Sequence, residues 1–284
     1  MEAYKADLEQ LQAKIERGDK LITGLADEKT RWEASADSLE IKYNHLVGDA
    51  CLSSSFMSLC GPFPADYRSD LTKLWLKKVQ ELEIPHDSTY EFCDFLGTKA
   101  TIKKWQQDGL PIDQFSTENG VCITKGDRWA LNIDPQTQAN SWIKKMHGKN
   151  LIIIDINDGK LLQKLIKCVQ NGKNVLLQDI GEELDPSLDN LLNKAFVKQG
   201  GNDIGVKIGD TEVTYNPKFQ LYITTRFANP HYTPEVSTKV NVINFSIKEQ
   251  GLEEQCLGIV VQEEQPALEQ NKNQLVDKIE NGQN

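Results

Sequence analysis

The chain has 284 residues with 39% hydrophobic and 26% charged residues. That is enough for one sizeable domain with appendages, or two small ones, and too apolar for a disordered chain. A net charge of -10 argues against nucleic-acid binding as the main task, because neutralising phosphates takes a basic surface.

Six cysteines (Cys51, Cys60, Cys93, Cys122, Cys168, Cys256) and four histidines (His45, His86, His147, His231) are scattered, with no C-x-x-C pair. Zinc needs ligands grouped at short spacings, so no metal site is expected, and the thiols fit a reducing cytosol. The sequence opens Met1-Glu2-Ala3-Tyr4 without a secretory leader. The longest apolar run, residues 151–154, is far short of the ~20 residues of a membrane span. A cytosolic protein, or a piece of one, is expected.

Tyr4, Leu8, Leu11, Ile15, Gly18, Ile22, Leu25, Lys29, Trp32, Ala36, Leu39, Tyr43 and Leu46 alternate in steps of four and three. That is a heptad seam broken only by Gly18 and Lys29, and it predicts a coiled-coil helix over residues 1–47. A lone helix cannot bury such a seam, and no second heptad stretch of matching length follows. The partner strand is therefore expected from another chain, or from a parent protein of which this is a fragment.

Residues 48–108 read as a helical connector, punctuated by Gly61-Pro62-Phe63-Pro64 and Ile84-Pro85. Within it, Leu71, Leu74, Trp75, Val79 and Leu82 are expected on one core-facing helix side.

Residues 109–247 change rhythm to short apolar runs alternating with amphipathic helices. Strands are predicted at 121–124, 129–134, 151–156, 174–180, 219–225 and 240–245, and helices at 138–146, 158–171 and 186–199. Strands rich in Ile, Val and Leu on both faces imply a parallel sheet covered by helices, an α/β sandwich built of right-handed βαβ units. Two further strands, 204–208 and 212–215, flank Gly209-Asp210 and predict an inserted β-hairpin. Residues 248–284 read as one helix carrying Leu252, Cys256, Ile259 and Val260, then a second carrying Leu268, Leu275 and Ile279.

The strand at 129–134 runs into Asp134-Pro135-Gln136-Thr137-Gln138-Ala139-Asn140-Ser141 and then a helix. A P-loop has G-x-x-x-x-G-K-[ST] here: glycines let backbone N–H groups wrap phosphates, Lys neutralises charge, and Ser/Thr holds magnesium. Asp134 replaces the first Gly, Ala139 the second and Asn140 the Lys, and only Ser141 survives. The metal-holding acidic strand is damaged too. If Asp179 is its acid, the following Glu has become Ile180; one frame earlier, Gln178 replaces the Asp. Glu182, Glu183 and Asp185 read as the solvated mouth of the next helix. Asn229 is placed to orient a water in an active enzyme, or to cap a turn before Pro230. His231 has no paired nucleophile, so no catalytic residue and no bound cofactor are expected.

Gly109-Leu110-Pro111, Arg128-Trp129-Ala130-Leu131, Ile133-Asp134-Pro135-Gln136, Gly181-Glu182-Glu183-Leu184-Asp185-Pro186 and Asn229-Pro230-His231-Tyr232 resemble the dynein heavy chain, more closely the axonemal than the cytoplasmic type. The resemblance covers the end of the microtubule-binding stalk and the fifth AAA+ module of the motor ring. It implies an AAA+ α/β sandwich, with the heptad helix as the returning stalk strand and the last helices as the start of a small subdomain and strut. It further implies a non-catalytic module relaying ring motion, with ATP and Mg held at other modules. The implied partners are neighbouring modules, the outgoing stalk strand, accessory chains and, through the stalk, microtubules; the implied place is the cytoskeleton of a cilium or flagellum. Thr137 and Ser141 depart from the Gly and basic residue that the family leads us to expect. Lys239, just before the last strand, is a candidate trans-acting residue reaching a neighbour's nucleotide, or an ordinary solvated Lys. The rival functions are a regulatory nucleotide-binding module and a coiled-coil scaffold.

Overall fold

The computed structural model describes residues 2–199, 203–246 and 249–265. Two units divide the chain, Met1–Cys51 with Lys77–Thr89, and Leu52–Leu76 with Tyr90–Asn284.

The first unit contains most of helix α1 (Glu2–Leu59). Its described seam residues Ile15, Leu25, Trp32, Leu39, Tyr43 and Leu46 are all exposed, Tyr43 by 75%. An exposed apolar row at heptad spacing is the kind of surface that a coiled-coil partner covers. Near the unit's end, the Asp49 carboxylate accepts the Asp87 N–H at 2.9 Å. Gly48 is required there, since a Cβ would lie 2.3 Å from the Pro85 carbonyl. The helix outlasts its heptads: it continues to Leu59, and its last turns bury Leu52 and Phe56 in the second unit.

The second unit begins with those turns and the Gly61–Pro64 bend, followed by α2 (Ala65–Glu81), whose residues from Lys77 on are assigned to the first unit. The expected apolar face of α2 holds at the buried Val79 and the half-buried Leu71 and Trp75, and is corrected at the other two residues. Leu74, and Leu82 just past the helix, stand 64% and 59% exposed, whereas Arg68 is buried and Leu71 and Trp75 are half-buried. Steps of three and four from Arg68 make this row one side of the helix. Then come α3 (Phe92–Leu96), α4 (Lys99–Gln107) and α5 (Gln114–Lys125).

Helix α5 overturns the strand predicted at 121–124. Asp113 caps it, accepting the Ser116 N–H at 2.7 Å, and Ser116, Thr117 and residues 119–123 are buried. A helix buried nearly all round has the same short apolar run as a buried strand, and tertiary packing overrides the β-branched preference.

The sandwich proper runs β1 (Ala130–Ile133), α6 (Gln138–His147), β2 (Leu151–Asp155), α7 (Leu161–Asn171), β3 (Asn174–Gln178), a 3-10 turn at Pro186–Leu188 and α8 (Asp189–Leu192). It continues with β4 (Val197–Gln199), β5 (Asp203–Ile208), β6 (Thr211–Thr214), β7 (Gln220–Thr225), α9 (Pro234–Lys239), β8 (Asn241–Asn244) and α10 (Glu249–Glu264). Five strands form one parallel sheet in the order β2-β3-β7-β1-β8. Successive residues face opposite sides. Leu131, Ile133, Val175 and Leu177 therefore fill one core, while Ala130, Leu176, Tyr222 and Ile243 fill the other with Trp105 and Trp142. Strand β2 lies at the edge, and there Ile152 and Ile153 are 37% and 47% exposed.

The helix predicted over 186–199 is also corrected. Helical backbone stops at Leu192, Lys194 turns with a φ of 50°, and residues 197–199 become β4. The Lys194 ammonium sits 4.7 Å over the Trp129 ring and 3.0 Å from Asp127, which holds the turn and sends the chain back to pair with β5. The inserted hairpin is thus a three-stranded antiparallel sheet. Its two-residue loop begins at Gly209, whose φ of 57° suits a glycine. The helix with Leu252, Cys256 and Val260 is present as α10, where Leu252 and Val260 are exposed. The second terminal helix, with Leu268, Leu275 and Ile279, lies outside the described residues.

Candidate functional site

The turn from β1 into α6 has the shape of a phosphate loop. Thr137, the residue before α6, adopts φ 59° and ψ 27°, a left-handed conformation that is unfavourable for a β-branched side chain and easy for glycine. The three backbone N–H groups that open the helix then point back towards Asp134. Its carboxylate accepts the Gln138 N–H at 2.7 Å and the Asn140 N–H at 2.8 Å, and the Ala139 N–H also bonds to it. The donors and the positive end of the helix dipole that hold phosphate in a P-loop are taken up by an internal carboxylate. Asp134 is 2% exposed. Burial raises its pKa above the ordinary carboxylate value, and the three N–H groups work against that rise.

The other sequence candidates gather around this cap. Ala139 is fully buried. Asn140, at the Lys position, turns inward: its Oδ1 accepts from Gln178 Nε2 at 2.6 Å, and its Nδ2 lies 3.5 Å from the Thr224 hydroxyl. The loop after β1 and the end of β3 are therefore bonded to each other. Ser141 is exposed and its hydroxyl donates to the Thr137 carbonyl at 2.7 Å. Asp179, at φ 58°, pairs with Arg226 at 2.7 Å; that guanidinium is 66% exposed, so the pair contributes little.

The ends of β1, β3 and β7 are cross-braced. The Asp134 N–H donates to Thr225 C=O (2.9 Å) and the Ile180 N–H to Thr224 C=O (3.1 Å). The Thr225 hydroxyl donates to Ile180 C=O at 2.9 Å. Asn229 stays exposed in the bend after β7, and no hydrogen bond joins it to the loop among the described residues. Lys239 lies apart from this cluster. Its ammonium donates to Asp189 at 2.8 Å and to Glu235 at 2.7 Å, and these two hydrogen bonds raise its pKa.

Sequence reasoning missed the buried cation of this unit. Arg68 is 1% exposed. It donates to the carbonyls of Phe63 and Gly61, each at 2.9 Å, to Asn119 Oδ1 at 2.7 Å and to Glu118 at 3.2 Å. The Phe115 ring lies 4.2 Å below its guanidinium. Burial raises the Glu118 pKa and Arg68 opposes the rise. The available signal was that Arg68 falls in helical register with Leu71 and Trp75, an odd place for a charge unless acceptors surround it.

A five-stranded parallel sheet sandwiched by helices, with a phosphate-loop turn after its first strand, defines a P-loop-type module of the AAA+ class. Residues 103–284 match the family model described as the ATP-binding dynein motor region, and residues 4–79 match that of the microtubule-binding stalk of the dynein motor. The chain belongs to the dynein heavy-chain family. It is 48% identical over 278 residues to the dynein-1-beta heavy chain of the flagellar inner arm I1 complex from Chlamydomonas reinhardtii. It is 46% identical to dynein axonemal heavy chain 2 of Mus musculus and 43% to dynein axonemal heavy chain 1 of Homo sapiens. These matches cover 96–97% of this chain and 6% of each relative.

Proposed function

We propose that this chain is a non-hydrolysing AAA+ module of an axonemal dynein heavy chain, relaying ATP-driven motion of other modules to a microtubule-binding stalk. The observation that carries the non-hydrolysing part is the Asp134 carboxylate on the N–H groups of Gln138, Ala139 and Asn140. A nucleotide does not fit these residues. A phosphate would have to displace a bonded, buried anion, with Asn140 where a cation would attract it. ATP and Mg are accordingly assigned to other modules of the parent protein.

The relay reading draws its support from two features. The cross-braced strand ends make the sheet a stiff block, and the uncovered seam from Ile15 to Leu46 calls for a partner helix. In this reading residues 1–47 are the returning stalk strand, 48–108 the connector, 109–247 the large subdomain, and 248–284 the start of the small subdomain and strut. The partners are the outgoing stalk strand and neighbouring modules of the same heavy chain, accessory chains and, through the stalk, microtubules. The flagellar and axonemal names of the relatives place the working motor in the axoneme of a cilium or flagellum. Lys239, already held by two carboxylates, stays within its own module in this scheme.

Calorimetric titration of the chain with Mg-ATP tests the first half of the proposal. No binding heat up to millimolar nucleotide is expected; saturable micromolar binding would reject it in favour of a regulatory nucleotide site.

A further inference from the structure

We infer that Arg68 and Asn119 form a clamp that fixes the end of α1 to the last strand of the sheet, and that Asn119 is a positioning residue for the relay. The inference rests on the relay reading above. Its geometry lies wholly within the second unit. The last turns of α1 bury Leu52, Phe56 and the following Cys60, with the Phe56 ring stacked on Phe92 at 4.0 Å. The chain then bends at Gly61, and the Gly61 carbonyl accepts from both Arg68 (2.9 Å) and the Asn244 N–H (2.9 Å). Asn119 closes the loop: it accepts from Arg68 at 2.7 Å and donates through Nδ2 to the Asn244 carbonyl at 2.9 Å.

Asn244 is the last residue of β8, after which the chain leaves the sheet for α10. The exit from α1 and the exit from β8 are therefore joined through one carbonyl, one guanidinium and one amide, all shielded from water. Gly61 permits this closeness, since a Cβ there would lie 2.3 Å from the Val242 carbonyl. A buried guanidinium held by four separate acceptors resists shear better than apolar packing, because each of its bonds is directional. A displacement of β8 passes to the continuous helix α1 without slip.

Asn119→Asp isolates the clamp. It keeps the acceptor for Arg68 and replaces the donor to Asn244 by an oxygen, which repels the carbonyl. In a motor whose heavy chain carries this segment, the readouts are basal ATPase and the ratio of microtubule affinities with and without ATP. The clamp predicts native basal ATPase with an affinity ratio reduced at least threefold, and Arg68→Lys, a second variant, shifting the ratio in the same direction. A Gly-Ser-Gly-Ser insertion after His45, which breaks α1 itself, serves as the control. If the insertion collapses the ratio and both point variants, folded by circular dichroism, leave it native, the clamp is wrong and the relay stands. If the insertion also leaves the ratio native, the relay reading fails and takes the clamp with it.

Discussion

The carboxylate of Asp134 lies 2.8 Å from the backbone nitrogen of Asn140, and the amide of Asn140 turns away to meet Gln178 at 2.6 Å. One contact engages a backbone N–H of the kind a P-loop offers to phosphate, and the other turns the side chain at the P-loop Lys position inward. On the proposed non-hydrolysing reading, the two contacts reinforce each other.

Asn140→Lys by itself should therefore leave Mg-ATP binding undetectable. It should also cost about 1–3 kcal/mol, because the Gln178 bond is lost and a cation is buried. Asp134→Ala removes the cap on three N–H groups and should cost about 1–2 kcal/mol. Only the double change Asp134→Gly with Asn140→Lys should yield calorimetric binding of phosphate or nucleotide. Binding by the Asn140→Lys variant alone would show that the carboxylate does not close the site.

Thr137 sits at φ 59° without a side-chain cap bond. Relief of a left-handed β-branched residue outweighs the extra chain entropy of glycine. Thr137→Gly should raise stability by up to about 1 kcal/mol, seen as a higher urea midpoint at unchanged slope. A lower midpoint would mean that the threonine methyl has packing worth more than the strain.

Arg68→Ala should be the most damaging substitution in the second unit, at about 3–5 kcal/mol, since it leaves the largely desolvated Glu118 carboxylate without its cation. Glu118→Gln should cost much less, because a neutral amide still accepts from Arg68. Gly61→Ala, forced against the Val242 carbonyl, should cost about 1–3 kcal/mol. Urea denaturation of the chain measures all three, and equal costs for Arg68→Ala and Glu118→Gln would contradict the buried-charge account.

Acid should weaken the second unit through His147. Asn174 donates to its Nδ1 at 2.9 Å, which leaves the neutral ring's proton on Nε2, 2.9 Å from the Tyr222 hydroxyl. Burial holds the His147 pKa below its ordinary value of 6.5, only partly offset by the Asp108 charge, and burial pushes Tyr222 up to about 12. Because the folded pKa lies below the unfolded one, the unfolded chain takes up protons first as pH falls through 6.5. Stability should drop in that window, and His147→Gln should flatten the slope there. An unchanged slope in pH-dependent urea titrations would clear His147 of the effect.

Periodicity carried much of this protein. The steps of three and four from Tyr4 to Leu46, the apolar strands and the residue types at 134, 139 and 140 are local patterns, and local patterns can be read along a chain. The misreadings share one cause. Residues 121–124 have the composition of a strand, yet form a helix because packing on nearly every side repays the propensity cost. Residues 197–199 continue a helical pattern until Lys194, held by Trp129 and Asp127, turns them into a strand. That Asp, Ala and Asn stand at 134, 139 and 140, where a P-loop has Gly, Gly and Lys, was legible. That Asp134 folds back onto the helix it precedes was not, since a hydrogen bond depends on where backbone donors point. Arg68 was the least visible residue, because Glu118 and Asn119 reach it only once chain segments about fifty residues apart are brought together.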